Sequence, residues 1–278
     1  MMLQKKSVPT IVGFWTTILL LWTSMLCAAP DAKLIPFWSN ASNESNSTTI
    51  DHTTWQTILD HYLDANHPSN INRFNYAGLK ANATDTQKLV NYLASLKKLD
   101  PRRYSKVEQK AYWINLYNAL TVQVVLDNFP LKSIKKIGWF GPWNKNLIEI
   151  RGQSLSLNNI EHGILRPIWN DNRIHYAVNC ASIGCPNLAA KAYTAANTEK
   201  LLEKAAKDYV NHPRGVQCGN RKLQLSSIYD WYKVDFASTN NDVIKHLLKY
   251  AKPNLAKCLH RYQGSIDYEY NWNINLSI

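Results

Sequence analysis

The chain has 278 residues, a length that suits one large domain or two small ones. Apolar residues make up 45% of the chain, and there are ten tryptophans, so the composition predicts a packed core and excludes wholesale disorder. The formal net charge of +12 favours an anionic partner such as an envelope phosphate, an acidic glycan or a lipid head group. The chain carries no nucleic-acid-binding motif, and therefore no nucleic-acid partner is predicted.

Residues 1–29 are typical of a secretory signal peptide. Lys5 and Lys6 precede an almost unbroken apolar run, Ile11 to Leu26, and small residues follow it. We expect export to a periplasmic or extracellular location. A lipoprotein is the less favoured alternative, because a large leucine precedes Cys27. The apolar run of ~16 residues is short for a membrane span, so any membrane contact is expected to be peripheral.

Residues 30–50 are predicted to be a mobile polar linker, and residues 51–278 a single domain. The linker is rich in Ser, Asn and Thr and has too little apolar surface to fold alone. In the domain, helical spacing of apolar residues predicts helices over residues 55–63 and 89–96.

A longer helix is predicted from a capping box, in which the Ser105 hydroxyl bonds a free N–H and Glu108 reaches back. This helix is expected to end near Asn128. Asn115 and Asn118 lie three residues apart on its surface. A buried amide must be hydrogen-bonded, so this pair either faces solvent or holds another group in place.

The segment from Lys132 to Lys145, here called the basic-aromatic loop, interleaves four lysines with Trp139, Phe140 and Trp143. Its glycines and proline exclude a helix. Exposed aromatic rings beside lysines would suit an anionic lipid, a glycan or a partner surface. The alternative, which we favour, is that the aromatic rings pack beneath the loop and the lysines are merely solvated.

A β-hairpin with a turn at Gly152 is predicted over residues 147–157. Asn158 is predicted to cap a helix that carries His162 and ends near Pro167. Residues 174–180 follow as a short buried strand. Further on, the patterns predict a helix capped at residue 194 or 197, two short strands within 216–225 and a helix over 241–251. The aromatic tail from residue 267 is predicted to be either a terminal strand or a pinned segment.

The stretch 158–186 concentrates two histidines and two cysteines. If Cys180 is a nucleophile, a nearby imidazole would lower the pKa of its thiol and make it reactive. Strand alternation places His175 and Cys180 on opposite faces, so His162 is the first choice of base and His175 the second. The candidates for a third member, which would orient the imidazole, are Glu161, Asn115, Asn118 and Asn179. The backbone N–H groups of Ala181 and Ser182 are candidates for an oxyanion hole.

Two alternatives remain open for the same residues. In an exported protein, Cys180 and Cys185 could form a disulfide, which would exclude a thiolate nucleophile. Two His and two Cys could also hold zinc, but the spacing H-x12-H-x4-C-x4-C matches no standard zinc pattern. No metal and no cofactor is therefore predicted, and Cys218 and Cys258 are expected to be structural.

The chain resembles the family described as domain of unknown function 547 over about residues 70–260. The matching segments are Phe74-Asn75-Tyr76, Leu79-Lys80, the run from Tyr112 to Leu120, Ile160-Glu161-His162, the run from His175 to Ser182, Cys185-Pro186, Tyr193-Thr194 and the region of Trp231-Tyr232. Some relatives have serine at the position of Cys185, which implies that a Cys180–Cys185 disulfide is not general to the fold. The resemblance implies no reaction.

Together these patterns predict a single α+β domain in which helices pack on a small mixed or antiparallel sheet. The first functional hypothesis is a thiol-dependent enzyme that transfers acyl groups or hydrolyses a small peptide or amide. His162 precedes Cys180, the reverse of the papain order, so likeness to cysteine proteases is an analogy only. The second hypothesis is a non-enzymatic envelope-binding module that uses the basic-aromatic loop.

Overall fold

The computed structural model describes residues 30–39, 42–219, 222–237 and 239–277; the predicted signal peptide lies outside them. The helices and strands in chain order are α1 (Pro36–Ser39), α2 (Thr53–Tyr62), β1 (Leu63–Asp64), β2 (Arg73–Phe74), α3 (Tyr76–Ala81), α4 (Ala83–Lys98), α5 (Lys106–Asn128), β3 (Ile148–Ile150), β4 (Gln153–Leu155), α6 (Leu157–Ile160), α7 (Arg166–Trp169), α8 (Thr198–Val210), β5 (Val216–Cys218), β6 (Leu223–Ser226), α9 (Ile228–Trp231), α10 (Lys233–Phe236), α11 (Asn240–Leu248), α12 (Pro253–Arg261) and β7 (Ile266–Glu269). Short 3₁₀ helices cover Pro101–Arg103, Ile134–Lys136 and Asn172–Tyr176, and a π-helical turn, Glu161–Leu165, joins α6 to α7. None of the helices in this described part of the chain combines the length and apolarity needed to cross a bilayer.

Helix α5 is the centre of the fold. Nearly all of its residues between Glu108 and Leu126 are buried, which makes it a core helix rather than an amphipathic surface helix. Its start is capped as predicted, because the Ser105 hydroxyl accepts the Glu108 N–H. The second half of the predicted capping box is wrong, since Glu108 instead accepts the backbone N–H of Ile50 at 2.7 Å.

The segment before α2 packs on this core. Trp38 is only 1% exposed, and its ring meets Trp113 of α5 edge-on at 5.0 Å. The backbone N–H groups of Lys33 and Ile35 donate to the carbonyls of residues 162 and 163, each at 2.9 Å. Within the described parts of the predicted linker, Trp38 and Ile50 are therefore buried against the domain, whereas most of the polar residues are exposed.

The sheets are small, and the α+β prediction is confirmed. Strands β1–β2 and β3–β4 form two antiparallel pairs, while β5, β6 and β7 form a three-stranded mixed sheet in which β6 and β7 run parallel. The predicted hairpin is present, and Arg151 and Gly152 form its turn with positive φ angles. A disulfide joins Cys218 of β5 to Cys258 of α12, as expected of structural cysteines.

The segment after β7 is pinned against the loop that carries Cys180. The backbone N–H groups of Ile183 and Gly184 donate to the carbonyls of Asn273 and Asn271, both at 2.8 Å. A side chain at residue 184 would not fit, because a Cβ there would lie 2.8 Å from the Asn271 nitrogen. The pinned terminal segment is thus confirmed.

The strand predicted over residues 174–180 is wrong. Residues Asn172–Tyr176 form a 3₁₀ helix, which begins where Asp171 accepts the N–H of Arg173 at 3.0 Å, and an irregular loop follows. The backbone groups of this loop bond to buried asparagine side chains instead of a neighbouring strand. Strand alternation therefore does not apply, and it no longer separates His175 from Cys180.

Candidate active site

The helix that carries His162 contains a π-helical turn. Its start is capped by Ser156, not by Asn158 as predicted, and the Ser156 hydroxyl accepts the Asn159 N–H at 3.1 Å. The helix also continues past Pro167 to Trp169. The proline has no N–H for the carbonyls of the preceding turn, and those of residues 162 and 163 accept the N–H groups of Lys33 and Ile35 instead. Single π-helical turns are frequent at functional sites.

Arg166 is a buried cation at the centre of a network of charged side chains. Its Nε donates to Asp235 Oδ2 at 2.5 Å, and its Nη1 donates to the Pro30 carbonyl at 2.7 Å. The same Nη1 lies 3.1 Å from His162 Nδ1. Because a guanidinium can only donate, Nδ1 of His162 must accept, and the proton of the neutral ring lies on Nε2.

His162 is held neutral. Burial lowers the pKa of its imidazole, and the Arg166 charge lowers it further, against the opposing effect of Glu161. The described residues provide no hydrogen-bond partner for Nε2, and the ring lines a cavity. His162 therefore presents an N–H donor, not a free lone pair.

His175 lies between two carboxylates. Its Nε2 donates to Asp235 Oδ2 at 2.6 Å, while its Nδ1 lies 3.5 Å from Glu161 Oε1 without hydrogen-bond geometry. Tyr232 stacks on the ring at 4.0 Å between centroids. Two carboxylates and one aromatic face therefore fix the orientation of this imidazole.

Both carboxylates are ionised. Burial alone would raise the pKa of Glu161, but the neighbouring His162, His175 and Arg166 together lower it to about 2. Burial likewise opposes ionisation of Asp235, and hydrogen bonds from His175 and Arg166 hold its pKa well below the ordinary range. Asp235 is thus an ionised acceptor for the N–H groups of both Arg166 and His175.

The loop from residue 177 to 186 is held by amide side chains. Asn118 donates to the Ala177 carbonyl at 3.0 Å and accepts the Asn179 N–H at 2.8 Å. Asn179 in turn accepts the Ala181 N–H at 2.8 Å and donates to the Pro186 carbonyl at 2.7 Å. These bonds let Ala181 keep a φ of 59°, a conformation that is uncommon for residues other than glycine.

These bonds correct part of the predicted site. Asn115, like Asn118, uses both ends of its amide on backbone, with Tyr193 as its partner at 2.7 and 2.9 Å. Of the two options for this pair, holding another group in place is the one observed. Asn115, Asn118 and Asn179 hold backbone and do not orient an imidazole. The Ala181 N–H is bonded to Asn179, so its predicted oxyanion role is also wrong.

The Cys180 sulfur lies against two hydroxyl groups that are also bonded to each other, since the Ser182 hydroxyl donates to Tyr270 Oη at 3.0 Å. Ser182 Oγ and Tyr270 Oη each lie 3.1 Å from it. The Cys180 N–H points to the sulfur of Cys185 at 3.0 Å, and both cysteines are free thiols. The disulfide alternative is therefore not the state of this structure.

The two thiols differ in acidity. Hydrogen bonding by Cys185, helped by Ser182 and Tyr270, lowers the pKa of Cys180 from 9.0 to about 7 against the opposing effect of burial. Burial raises the pKa of Cys185 well above its ordinary value. Cys180 is thus the thiol that ionises near neutral pH, while Cys185 stays protonated and stabilises it.

Cys180, Glu161, His162 and His175 line one cavity of about 320 Å³. Neither imidazole is hydrogen-bonded to the Cys180 sulfur, whose polar neighbours are Ser182 and Tyr270. The aromatic side chains that line the cavity are Tyr117, Phe140, Trp143, Trp231, Tyr232, Tyr270 and Trp272. The chemically reactive side chains of the stretch 158–186 therefore line one cavity. The two imidazoles lie along this cavity and do not contact the Cys180 sulfur through a hydrogen bond.

Three important residues were missed by the sequence reasoning. Arg166 carried a usable signal, since it lies four residues after His162 on the same helix. Asp235 and Tyr270 carried none, because they are 60 and 90 residues from their partners. Across the described ranges, no group of three or more His, Cys, Asp or Glu side chains has an arrangement that could hold a metal ion.

Alkylation of Cys180 by iodoacetamide should show a midpoint near pH 7, because the thiolate is the reacting form and its pKa is about 7. Below that pH the rate should fall, and above it the rate should level off. Cys185 should stay unmodified throughout, because its thiol is buried and protonated. Peptide mass spectrometry after timed quenching measures both sites.

The matched variant is Ser182→Ala with Tyr270→Phe, which removes both hydroxyl groups beside the sulfur. Its midpoint should move upward by about one pH unit. A midpoint that is the same in both proteins would contradict the assigned cause of the low pKa.

A family model described as "Protein of unknown function, DUF547" matches residues 101–210. This match confirms the resemblance noted in the sequence: the protein is a DUF547 domain-containing protein. The matched range includes α5, the π-helical turn, both imidazoles and Cys180, whereas Asp235 and Tyr270 lie beyond it. Comparisons with curated proteins and with solved structures gave no match.

Proposed function

We propose that this DUF547 domain-containing protein is an exported enzyme that transfers or hydrolyses an acyl group through the thiolate of Cys180. One observation carries the proposal: a thiol whose pKa is lowered to about 7 shares a cavity with Glu161, His162 and His175. A perturbed thiol in a cleft beside imidazoles is a candidate nucleophile on physical grounds.

His175, not His162, is the better candidate for the base. A base needs a ring nitrogen with an available lone pair, and Arg166 takes that of His162. His175 uses Nε2 on Asp235 and leaves Nδ1 as the nitrogen that can exchange a proton. Asp235 then orients the ring, as a carboxylate does in a catalytic triad.

In the proposed reaction, the Cys180 thiol first passes its proton, through water in the cavity, to Nδ1 of His175. The thiolate then attacks the carbonyl carbon of the substrate and forms a carbon–sulfur bond. The Nε2–H of His162 donates to the oxygen on which negative charge develops. The bond to the leaving group breaks, and His175 gives that group its proton. Water then attacks the thioester while His175 takes a proton, and the carbon–sulfur bond breaks to restore the thiolate.

The cavity supports a small acyl or amide substrate. Its volume of about 320 Å³ lies at the lower end of small-molecule sites. Trp231 and Trp272 stack at 5.5 Å and, with Tyr270, give it an aromatic wall. Such a wall favours a flat or apolar group next to the scissile bond.

The test is to trap the acyl-enzyme. With p-nitrophenyl acetate as probe and acid quenching, intact mass spectrometry should find one acetyl group, and digestion should place it on Cys180. Cys180→Ala should lose the adduct, and His175→Gln should slow its turnover. Cys185→Ala should still form the adduct on Cys180 but more slowly near neutral pH, because the thiolate loses the neighbour that most lowers its pKa. Acetylation that is undiminished in Cys180→Ala would overturn the proposal.

A second candidate function is favoured by the basic-aromatic loop. Our prediction that its aromatic rings pack beneath the loop is wrong for Trp139 and Phe140, which are 95% and 90% exposed. Gly138 and Gly141 flank them with φ of 65° and 80°, so a tight turn carries both rings outward. Of the loop's aromatic rings, Trp143 is the one that packs, edge-on against Trp272 at 5.7 Å.

The chemistry of this loop supports contact with an anionic lipid surface, whether or not the protein is an enzyme. Its four lysines face no acidic residue within the loop. Exposed indole and phenyl rings suit the boundary between head groups and acyl chains, and lysines suit anionic head groups. Phe140 and Lys135 also line the cavity of Cys180, so a membrane bound here would lie at its mouth.

Vesicle sedimentation tests this candidate. Binding to phosphatidylglycerol vesicles should fall about thirtyfold in Lys135→Gln with Lys136→Gln, since each lysine near such a surface contributes ~1 kcal/mol. Trp139→Ala should weaken it further, and added salt should weaken it in every variant. Lys97→Gln with Lys98→Gln, which removes equal charge outside the loop, should bind like the parent protein, as should Cys180→Ala. Binding that is insensitive to salt, or equal losses in both lysine pairs, would count against the loop.

A further inference from the structure

A second cavity, larger than that of Cys180, lies beside the carboxyl end of α8. Its volume is about 500 Å³, and it shares no lining residue with the first cavity. The segments that form its walls are residues 187–191, α8, residues 211–214 and Lys252 at the start of α12. A cleft of this size accommodates a small organic molecule.

The cleft is strongly basic. Five cationic side chains line it against the single carboxylate of Asp208, and the five are Lys191, Lys204, Lys207, Arg214 and Lys252. Three of the lysines have carboxylate partners, which are Asp60, Asp208 and Glu203. Among the described residues, no carboxylate pairs with Arg214 or Lys252, so these two charges are uncompensated.

Arg214 also has a hydrogen-bond donor without an acceptor. Its Nη1 donates to the Ile183 carbonyl at 3.2 Å, and its Nη2 donates to Asn187 Oδ1 at 2.6 Å. Its Nε is buried and has no hydrogen-bond partner in the described structure. Buried donors are almost always bonded, so an unbonded one in a cleft indicates a missing acceptor.

A second guanidinium nearby has the same deficiency. Arg73 follows Asn72, which lines the cleft; its Nε is also buried and unbonded, and no described carboxylate pairs with it. Burial lowers the pKa of Arg214, and the positive charge of Arg73 contributes in the same direction. Two partly buried cations that repel each other and lack a counter-ion are a disfavoured arrangement, which an anion would relieve.

We propose that this cleft binds a small molecule that carries a phosphate or carboxylate group, with Arg214 as the principal contact and Lys252 as the second cation. A guanidinium binds both groups through paired N–H donors, and charge-assisted bonds of this kind are the strongest that a side chain makes. The site is independent of the acyl-transfer proposal, because it uses neither Cys180 nor the imidazoles.

Isothermal titration calorimetry with inorganic pyrophosphate and with citrate tests this site, and the two arms decide between phosphate and carboxylate. The parent protein should bind at least one probe. Arg214→Gln should weaken that binding about tenfold and Lys252→Gln about threefold. Lys98→Gln, which removes one exposed charge outside the cleft, should leave it unchanged.

Circular dichroism establishes whether each variant is folded. If Arg214→Gln does not fold, Arg73→Gln and Lys252→Gln decide the question, and both should weaken binding. The absence of binding to either probe at millimolar concentration would overturn the proposal. An equal loss in Lys98→Gln would also overturn it, because it would assign the binding to net charge rather than to the cleft.

Discussion

Replacing Arg166 by methionine should lower the free energy of unfolding by about 3–5 kcal/mol, the usual effect of removing one partner from a buried ion pair. The side chain of Arg166 is 3% exposed and is the shared donor to Asp235, His162 and the Pro30 carbonyl. Without Arg166, the mostly buried carboxylate of Asp235 keeps only His175 as partner, and the Pro30 carbonyl loses a short hydrogen bond. Urea denaturation at neutral pH measures the difference.

The matched control is Lys245→Met, which removes a cation from an exposed pair with Asp242 at 2.9 Å. That pair is solvated, so its loss should change stability by less than about 1 kcal/mol. Similar small losses in both variants would show that the Arg166 network does not hold the fold together.

Replacing Asn118 by alanine should destabilise the protein by about 2–4 kcal/mol, because two buried backbone groups lose their partners. Those groups are the Ala177 carbonyl and the Asn179 N–H. The loop that follows should become more mobile, and Ser182 and Tyr270 should lose their contacts with the Cys180 sulfur. The alkylation midpoint of Cys180 should therefore rise toward the ordinary pKa of a thiol. Denaturation and alkylation are measured on the same samples.

Asn91→Ala serves as the control, since that amide is exposed on α4 and accepts only from Gln87. This substitution should lower the free energy of unfolding by less than about 0.5 kcal/mol. An Asn118→Ala variant as stable as this control would mean that water replaces the amide, and the loop would then not depend on Asn118.

Local signals were sufficient for most helices. The Ser105 cap and the apolar spacing that follows it placed α5 correctly, because a helix is determined by neighbours three and four residues apart. The same reasoning failed at residues 174–180. That run is apolar enough for a strand, but its backbone partner is the side-chain amide of Asn118, which lies 59 residues from Ala177 and 61 residues from Asn179.

Of the candidate site, only the residues that lie close together in the sequence could be predicted. Cys180, His162 and His175 were found because they lie within one stretch, whereas Asp235 and Tyr270 reach the site only through tertiary packing. The choice between the two imidazoles also needed the structure, since it depends on which ring nitrogen Arg166 occupies. For the basic-aromatic loop, the general tendency of aromatic residues to be buried predicted the opposite of what is found.

The segment after β7 has a consequence for biosynthesis. Tyr270 bonds the Cys180 sulfur, and Asn271 and Asn273 hold the backbone of residues 183 and 184. A nascent chain that the ribosome has not yet extended past these residues cannot assemble the surroundings that acidify the thiol. The sulfur thus gains its Tyr270 hydrogen bond only once synthesis has passed this point, so the thiol of an incomplete chain is expected to be less acidic than that of the finished protein.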